Sequence, residues 1–369
     1  MKFLRLAFYV LIAQLVLSGC ADEAVEETSF SSSSEINFDA YLARNASTRA
    51  GITNIDFLKG TEGNSGFGVF ARYNHNGNIS SLMDNEHVTW EENHWKYTNT
   101  RYWPNEGTVD FYAFAPYHRD VKMGKLPDYL VNNPDSKDET YIKFTSSTAP
   151  VDLVWGAQIG KKAPISPTDS KVKFQFKHAL ARLNFDITAN QDLEENGAVI
   201  TVDSVKLYGD SIDEDKGAFD ITGYLNLKNE KGEWHVDGDV NSRAVYTWTP
   251  TGLENGTSFK LSASQLDHTC KKIENARNSY LCIIPQVKYF PFYLKITYKV
   301  RQGDYFEEKV TVSKNLLEVL RPGVSNPSFT FERGKAYVFH LKLSLDPINF
   351  KVTPKVEDWN GVIDETMPL

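Results

Sequence analysis

The chain has 369 residues, enough for about two ordinary domains, and 41% hydrophobic with 13% aromatic residues can fill their cores, which excludes a disordered chain. A formal net charge of −8 excludes the basic surface that non-specific nucleic-acid binding requires. Three cysteines are too few for a disulfide-built scaffold, so apolar cores must hold the fold.

At the N-terminus, Lys2 and Arg5 precede the apolar run Leu6 to Leu17, which is shorter than the roughly 20 residues of a membrane-spanning helix. Together with Leu17-Ser18-Gly19-Cys20 this order resembles the lipobox of bacterial lipoproteins. The resemblance implies a signal peptide over residues 1–19 and a Cys20 thiol that takes up a diacylglyceryl group. Several acyl chains, at about 0.8 kcal/mol per buried CH₂, anchor durably. The acidic run Ala21 to Glu27 resembles the surface-export signals of Bacteroidetes-type lipoproteins, and Thr28 to Glu35 is Ser-rich, so residues 20–35 read as a tether.

Ile36 to Leu42 places Ile36, Phe38, Ala40 and Leu42 on alternate positions, the pattern of a strand with one buried face. Ala43 to Ala50 is polar and small, carries Arg44 and Arg49, and is the kind of loop a protease nicks. Phe67 to Tyr73 is a further strand. A hairpin follows, with Val88 and Trp90 on one arm, Trp95 and Tyr97 on the other, and Glu91 to Asn93 near the turn. Val109 to Tyr117 is apolar on both faces, which predicts a strand covered on both sides. Asp120 to Glu139 is a polar, turn-rich excursion, and Asp152 to Gly156 a short apolar strand.

Lys171 to Ile187 reverses its parity midway: Val172, Phe174 and Phe176 alternate on even positions, Leu183, Phe185 and Ile187 on odd ones. Such a flip needs a bulge or bend within His178 to Arg182. Two readings stay open, a strand that ends one β-domain and starts the next, or a single bulged strand inside one domain. Further strand patterns cover 200–208, 219–227, 259–261, 280–284, 292–300, 337–345 and 348–352. Only Ser313 to Leu320 and Gln191 to Glu195 read as helical. Many short strands and few helices predict an all-β protein of antiparallel sandwiches.

An ordered set of motifs carries a family resemblance. Tyr102-Trp103-Pro104 precedes Phe111 to Tyr117, then Asp152 to Trp155, Phe176 to Leu183, Ile284-Pro285-Gln286 and the closing Val356 to Asn360. Behind a lipobox, this set resembles the fimbrillin-like lipoproteins of Bacteroidetes, the Mfa-like branch of the FimA superfamily. The resemblance spans nearly all of the mature chain. It implies a structural subunit of a surface fimbria, a type V-like pilus serving adhesion, with two tandem transthyretin-like antiparallel β-sandwich domains. These would be residues 36–180 and 181–369. Such subunits are exported as lipoproteins to the cell outer membrane, cut by an Arg-specific protease and polymerised by donor-strand exchange.

Carried onto this sequence, the cut falls between Arg49 and Ala50, with Arg44 as the second candidate, and releases the strand of Ile36, Phe38, Ala40 and Leu42. The donor candidate is residues 354–369, with Val356, Trp359, Val362 and Ile363. The implied partners are other fimbrial subunits in a homo- or hetero-polymer, the outer membrane through the lipid anchor, and host or bacterial surface ligands. No cofactor, no metal and no nucleic acid are expected.

Catalytic signatures are missing from the sequence, which reads as a non-enzyme. His87 and His94 read as strand-surface residues, and His178 as a structural hydrogen-bonding residue. Asp210, Asp213, Glu214 and Asp215 form an acidic loop without calcium-loop spacing, read as solvated. Cys270 and Cys282 could pair across the strand at 280–284, or Cys282 could remain a buried thiol. Asp203-Ser204-Val205 and Asp210-Ser211-Ile212 resemble O-glycosylation sites of this phylum. The alternative function is a monomeric glycan-binding surface lipoprotein, with Trp90, Trp95 and Trp103 as its stacking platform.

Overall fold

The structure, a computed structural model, describes residues 34–42, 55–61, 63–131, 138–146, 151–165, 170–189, 198–228, 231–239, 242–248, 281–302, 306–343 and 351–358. The first half holds β1 (Asn37–Leu42), β2 (Phe67–His75), β3 (Asn78–Glu91), β4 (His94–Lys96), β5 (Thr108–Ala115), β6 (Met123–Gly124), β7 (Tyr141–Thr145), β8 (Val154–Lys161) and β9 (Lys171–His178). A short helix α1 (Ile55–Leu58) follows β1. Seven of these strands form one sheet in the order β1-β9-β8-β5-β2-β3-β4. Its concave face encloses a core of β1, β2, β5 and β9 side chains, closed by Leu58 of α1 and by Trp95 and Trp103.

The opposite face of that sheet is covered as well. Phe70, Tyr112, Phe114 and Trp155 pack against Met123, Ile142 and Leu225, which belong to a second sheet. The central strand β5 is therefore buried on both sides, Val109, Phe111 and Ala113 facing one core and Tyr112 and Phe114 the other. That is the arrangement its two apolar faces predict. The expected hairpin is present, with Trp90 opposite Trp95. Its turn residues Glu92 and Asn93 both have positive φ, 48° and 64°. Two such residues make the turn whose twist suits a hairpin.

The remaining strands are β10 (Ala181–Ala189), β11 (Ala198–Tyr208), β12 (Phe219–Asp220), β13 (Thr222–Asn226), β14 (Trp234–Val236), β15 (Arg243–Ala244), β16 (Tyr246–Trp248), β17 (Leu281–Ile283), β18 (Gln286–Lys288), β19 (Tyr293–Gln302), β20 (Phe306–Asn315), β21 (Phe329–Phe331), β22 (Lys335–Leu343) and β23 (Lys351–Asp358). A helix α2 (Leu316–Leu320) sits between β20 and β21. Sheets β17-β10-β22-β23 and β16-β11-β19-β20 enclose a second large core, built from the odd residues of β10 and β22 and the even residues of β19. Strands β13 and β14 leave this region and join β7 and β6 in the sheet that covers the first half.

The parity break resolves into two strands in two sheets. β9 ends at His178 in the seven-stranded sheet and β10 begins at Ala181 in another, with Ala179 and Leu180 between them. Both halves share a feature that alternation cannot encode. The first strand of each pairs in parallel with a strand near that half's end, β1 with β9 and β10 with β22, while every other ladder among the described residues runs antiparallel.

The helical expectation over 313–320 is corrected. Ser313 to Asn315 completes β20, and only Leu316–Leu320 is helical, with the Asn315 side chain accepting from the Leu317 and Glu318 amides. β20 itself escapes a periodicity reading because its inward phase, opposite Val300, Tyr298, Ile296 and Leu294 of β19, holds the charged Glu308 and Lys314 on either side of Val310 and Val312. Phe219 to Leu227 is divided into β12 and β13 at Ile221. The patterns at 259–261 and 191–195 lie outside the described residues.

Candidate functional site

The candidate site is the seat of β1. Its alternation buries Ile36, Phe38, Ala40 and Leu42 to 0, 2, 4 and 6% exposure, and turns Asn37, Asp39 and Tyr41 outward. On the outer face the Tyr41 hydroxyl donates to Asp39 at 2.8 Å. Burial and then Asp39 push that phenol up to about 12. On one side β1 runs parallel to β9, with Phe38 opposite Val172, Ala40 opposite Phe174 and Leu42 opposite Phe176. On the other side its entrance is fastened to the segment after β4. The Ile36 amide donates to the Arg101 carbonyl at 2.8 Å, the Trp103 amide to the Ser34 carbonyl at 3.0 Å, and the Tyr97 hydroxyl to the Ile36 carbonyl at 2.7 Å.

Phe38 sits in an aromatic box. Its ring centroid lies 5.5 Å from Tyr97, 5.8 Å from Phe174, 6.1 Å from Phe111 and 6.3 Å from Phe67. At 1.5–3 kcal/mol for each large apolar side chain, Ile36, Phe38 and Leu42 contribute about 5–9 kcal/mol of gross burial energy. All of it rests on a six-residue edge strand and the isoleucine that precedes it. Removing the strand would leave β9 with a row of unpaired backbone groups beside an open apolar trough.

Other residues named from the sequence fall as follows. Cys20, Arg44, Arg49, Ala50, Cys270, Trp359, Val362 and Ile363 lie outside the described residues. Val356 is in β23 opposite Tyr337 and is 51% exposed, so this edge strand is held mainly by its ladder and by Val352 against the core. Cys282 carries a free, buried thiol in β17. Burial pushes that thiol well up, and Asp152 adds to the shift while Arg182 opposes it.

The three tryptophans do not make a stacking platform. Trp95 and Trp103 are each 5% exposed, packed on Phe67 at 4.9 Å and Phe111 at 5.5 Å. Trp90 packs on Trp95 at 5.1 Å and carries the Lys59 ammonium 4.0 Å above its ring. They serve the core and the hairpin because β4 and the 101–103 segment close over the concave face. His87 stacks on Tyr117 at 3.6 Å and its Nε2 meets the Ser65 carbonyl at 2.9 Å. The acidic loop is tied by lysines, Lys216 to Asp210 at 3.2 Å, Lys206 to Asp215 at 3.4 Å, and Lys295 to Glu214. No cluster that could hold a metal occurs among the described residues. Ser211 is exposed, whereas Ser204 is half-buried at a bulge in β11.

Two polar devices give the sequence little warning. At the junction, His178 Nδ1 donates to Asp152 Oδ1 at 3.0 Å with both side chains buried. Arg333 lies 4.5 Å from the Trp155 ring and donates to the Lys231 carbonyl at 2.8 Å and the His178 carbonyl at 3.3 Å. The Trp234 indole N–H donates to the Ala179 carbonyl at 2.7 Å and the Gly334 amide to the Leu180 carbonyl at 2.9 Å. The connector between the two halves is thus gripped at three successive carbonyls.

The second device is Lys288, 4% exposed, whose ammonium donates to the Ala218 carbonyl beneath the Phe219 ring. Burial, then Arg243, lowers it to about 8, with Asp220 opposing. An exposed lysine titrates near 10.4. Because the folded value is the lower one, the penalty for the charged form is full below pH 8 and fades between pH 8 and about 10. Stability should therefore rise across that window by up to about 3 kcal/mol. Lys288→Met should flatten the rise, read as the difference between wild-type and variant urea midpoints at pH 7 and 9.5.

The comparisons with known proteins agree with this architecture. A model of the fimbrillin-like family matches residues 48–359. The fimbrium subunit Fim1C of Phocaeicola vulgatus is 24% identical over 406 residues, covering 96% of each chain. A crystal structure of a fimbrial protein from Bacteroides vulgatus superposes with a TM-score of 0.61 at 21% identity, covering 88% of this chain and 99% of that one. With residues 48–359 matched, the greater part of its length, the chain belongs to the fimbrillin-like family.

Proposed function

We propose that this protein is a structural subunit of a surface fimbria that polymerises by exchanging its first strand. The observation that carries the reading is β1 itself, an edge strand that together with Ile36 buries four core side chains and pairs with a single strand of its sheet, β9. The other six strands of its sheet, in the order β9-β8-β5-β2-β3-β4, remain continuous if β1 departs. The sequence that follows β1 holds Arg44 and Arg49, so cleavage after Arg49, or after Arg44, would cut the strand from the body. Until then β1 covers the core and keeps the chain monomeric.

In this reading Cys20 anchors the exported precursor in the outer membrane, and residues 36–180 and 181–369 are two sandwich units, with β13 and β14 reaching back to the first. A strand from the 354–369 region of a further subunit fills the groove, and head-to-tail donation extends a filament without closing. The relative named as a fimbrium subunit supports assembly with other subunits, and adhesion at the surface is part of the same proposal. No catalytic step is needed.

Limited digestion with an Arg-specific protease tests this. Mass spectrometry should locate one cut after Arg49 or Arg44, and SDS-resistant ladders should follow, absent from an Arg44→Ala/Arg49→Ala variant. A chain that resists cutting, or that is cut yet stays monomeric with its N-terminal strand bound, overturns the reading.

A further inference from the structure

β20 presents the longest unbroken open sheet edge among the described residues. Its ten residues pair with β19 in a single register, and no described strand pairs with its other side. Other edges offer a partner less. β4, β14, β16 and β17 have three residues each, and β23 carries Pro354, which has no N–H to donate. The uncovered part of β3 is interrupted by register shifts and by Asn85 at a φ of 54°.

Charges on an edge strand ordinarily keep it from pairing with its own kind. Those of β20 instead complement themselves. Laid antiparallel to a second copy about Thr311, the strand sets Glu308 opposite Lys314, Lys309 opposite Ser313 and Val310 opposite Val312. Antiparallel partners share a parity, so the nearest alternatives are slips of two residues. A slip one way sets Glu308 opposite Val312, and a slip the other way sets Lys314 opposite Val310. Within the chain, neither Glu308 nor Lys314 has an ion-pair partner among the described residues. We propose that a second copy of this chain docks on β20, edge to edge and antiparallel, about a twofold axis through Thr311. Sheet β16-β11-β19-β20 then continues into the same sheet of the partner. The symmetry makes each contact twice, giving two Glu308–Lys314 pairs and two Val310–Val312 pairs. β1 and its seat lie in the other half, so this contact forms with or without strand exchange. In a fimbria of such subunits it joins neighbouring filaments side by side.

Cysteine trapping on the full, uncut chain tests this. Directly opposite Cα atoms of an antiparallel ladder lie about 4.5–5.5 Å apart, within reach of a disulfide. In a Cys20→Ser/Cys270→Ser background, which keeps the buried Cys282 thiol, Thr311→Cys alone should give a reducible dimer under mild oxidation. Lys309→Cys alone or Ser313→Cys alone should give about tenfold less, because each then lies roughly 14 Å from its own counterpart. Mixing those two variants should restore the dimer. Charge reversal supplies the second readout. Glu308→Lys or Lys314→Glu should each lower Thr311→Cys trapping by about tenfold, since like charges then stand opposite one another twice. Combining both reversals exchanges the pairs and should restore trapping. A Thr311→Cys chain that stays monomeric, equal trapping at all three positions, or trapping indifferent to the charges overturns the proposal. None of these outcomes bears on cleavage or strand exchange, which the Arg44→Ala/Arg49→Ala variant tests separately.

Discussion

Phe38→Ala should destabilise the uncut protein by about 3–5 kcal/mol, the range for deleting a buried phenylalanine from a core that cannot collapse around the gap. Its ring is 2% exposed and meets four other rings, three of them on the strands β2, β5 and β9. Collapse is restricted because the facing residues Phe67, Phe111 and Phe174 belong to strands fixed in one sheet. Urea denaturation of the intact chain measures the loss. The same substitution should leave the cleaved, assembled form unchanged, because the residue has left with its strand. A cost that persists after cleavage would mean that β1 is not the segment exchanged. Outward substitutions such as Asp39→Ala, whose side chain touches only the strand surface and Tyr41, should cost less than about 1 kcal/mol.

Asp152→Ala should cost a comparable amount, about 3–5 kcal/mol, since it removes one partner of a buried pair and leaves the other desolvated. His178 and Asp152 have 4% and 0% of their side chains exposed, so neither is open to solvent when the other is removed. His178→Ala and the double variant complete a cycle. The double variant should lose clearly less than the sum of the singles, because the second deletion removes a group already stranded. Strict additivity would show that the two side chains act independently. Nearby, Arg333 grips the His178 carbonyl, so its loss is expected to loosen the same junction through a different contact.

The individual strands were legible because alternation reports burial directly. Phe38, Phe174, Ile296 and Phe339 all face cores, as their spacing requires. The Glu92-Asn93 turn and the doubly buried β5 were legible for the same local reason. β20 was not, because Glu308 and Lys314 interrupt the phase that turns Val310 and Val312 inward. Nor was the failure of the tryptophan platform. Trp95 and Trp103 stand where β4 and the following segment fold over the concave face, and no local pattern reports that closure.

By itself, then, the sequence determined which side chains of each strand turn inward, including the four of β1, because a period of two leaves each residue only two faces. Tertiary structure alone decided who stands beside whom. Alternation carries no information on partner or direction, so the parallel pairings of β1 with β9 and β10 with β22 could not be read from it. The reversal of parity near His178 left one strand or two equally open. It became two strands in two sheets because Arg333, Trp234 and Gly334, distant in sequence, bind the carbonyls of His178, Ala179 and Leu180 and fix the chain as it crosses from one sheet to the next.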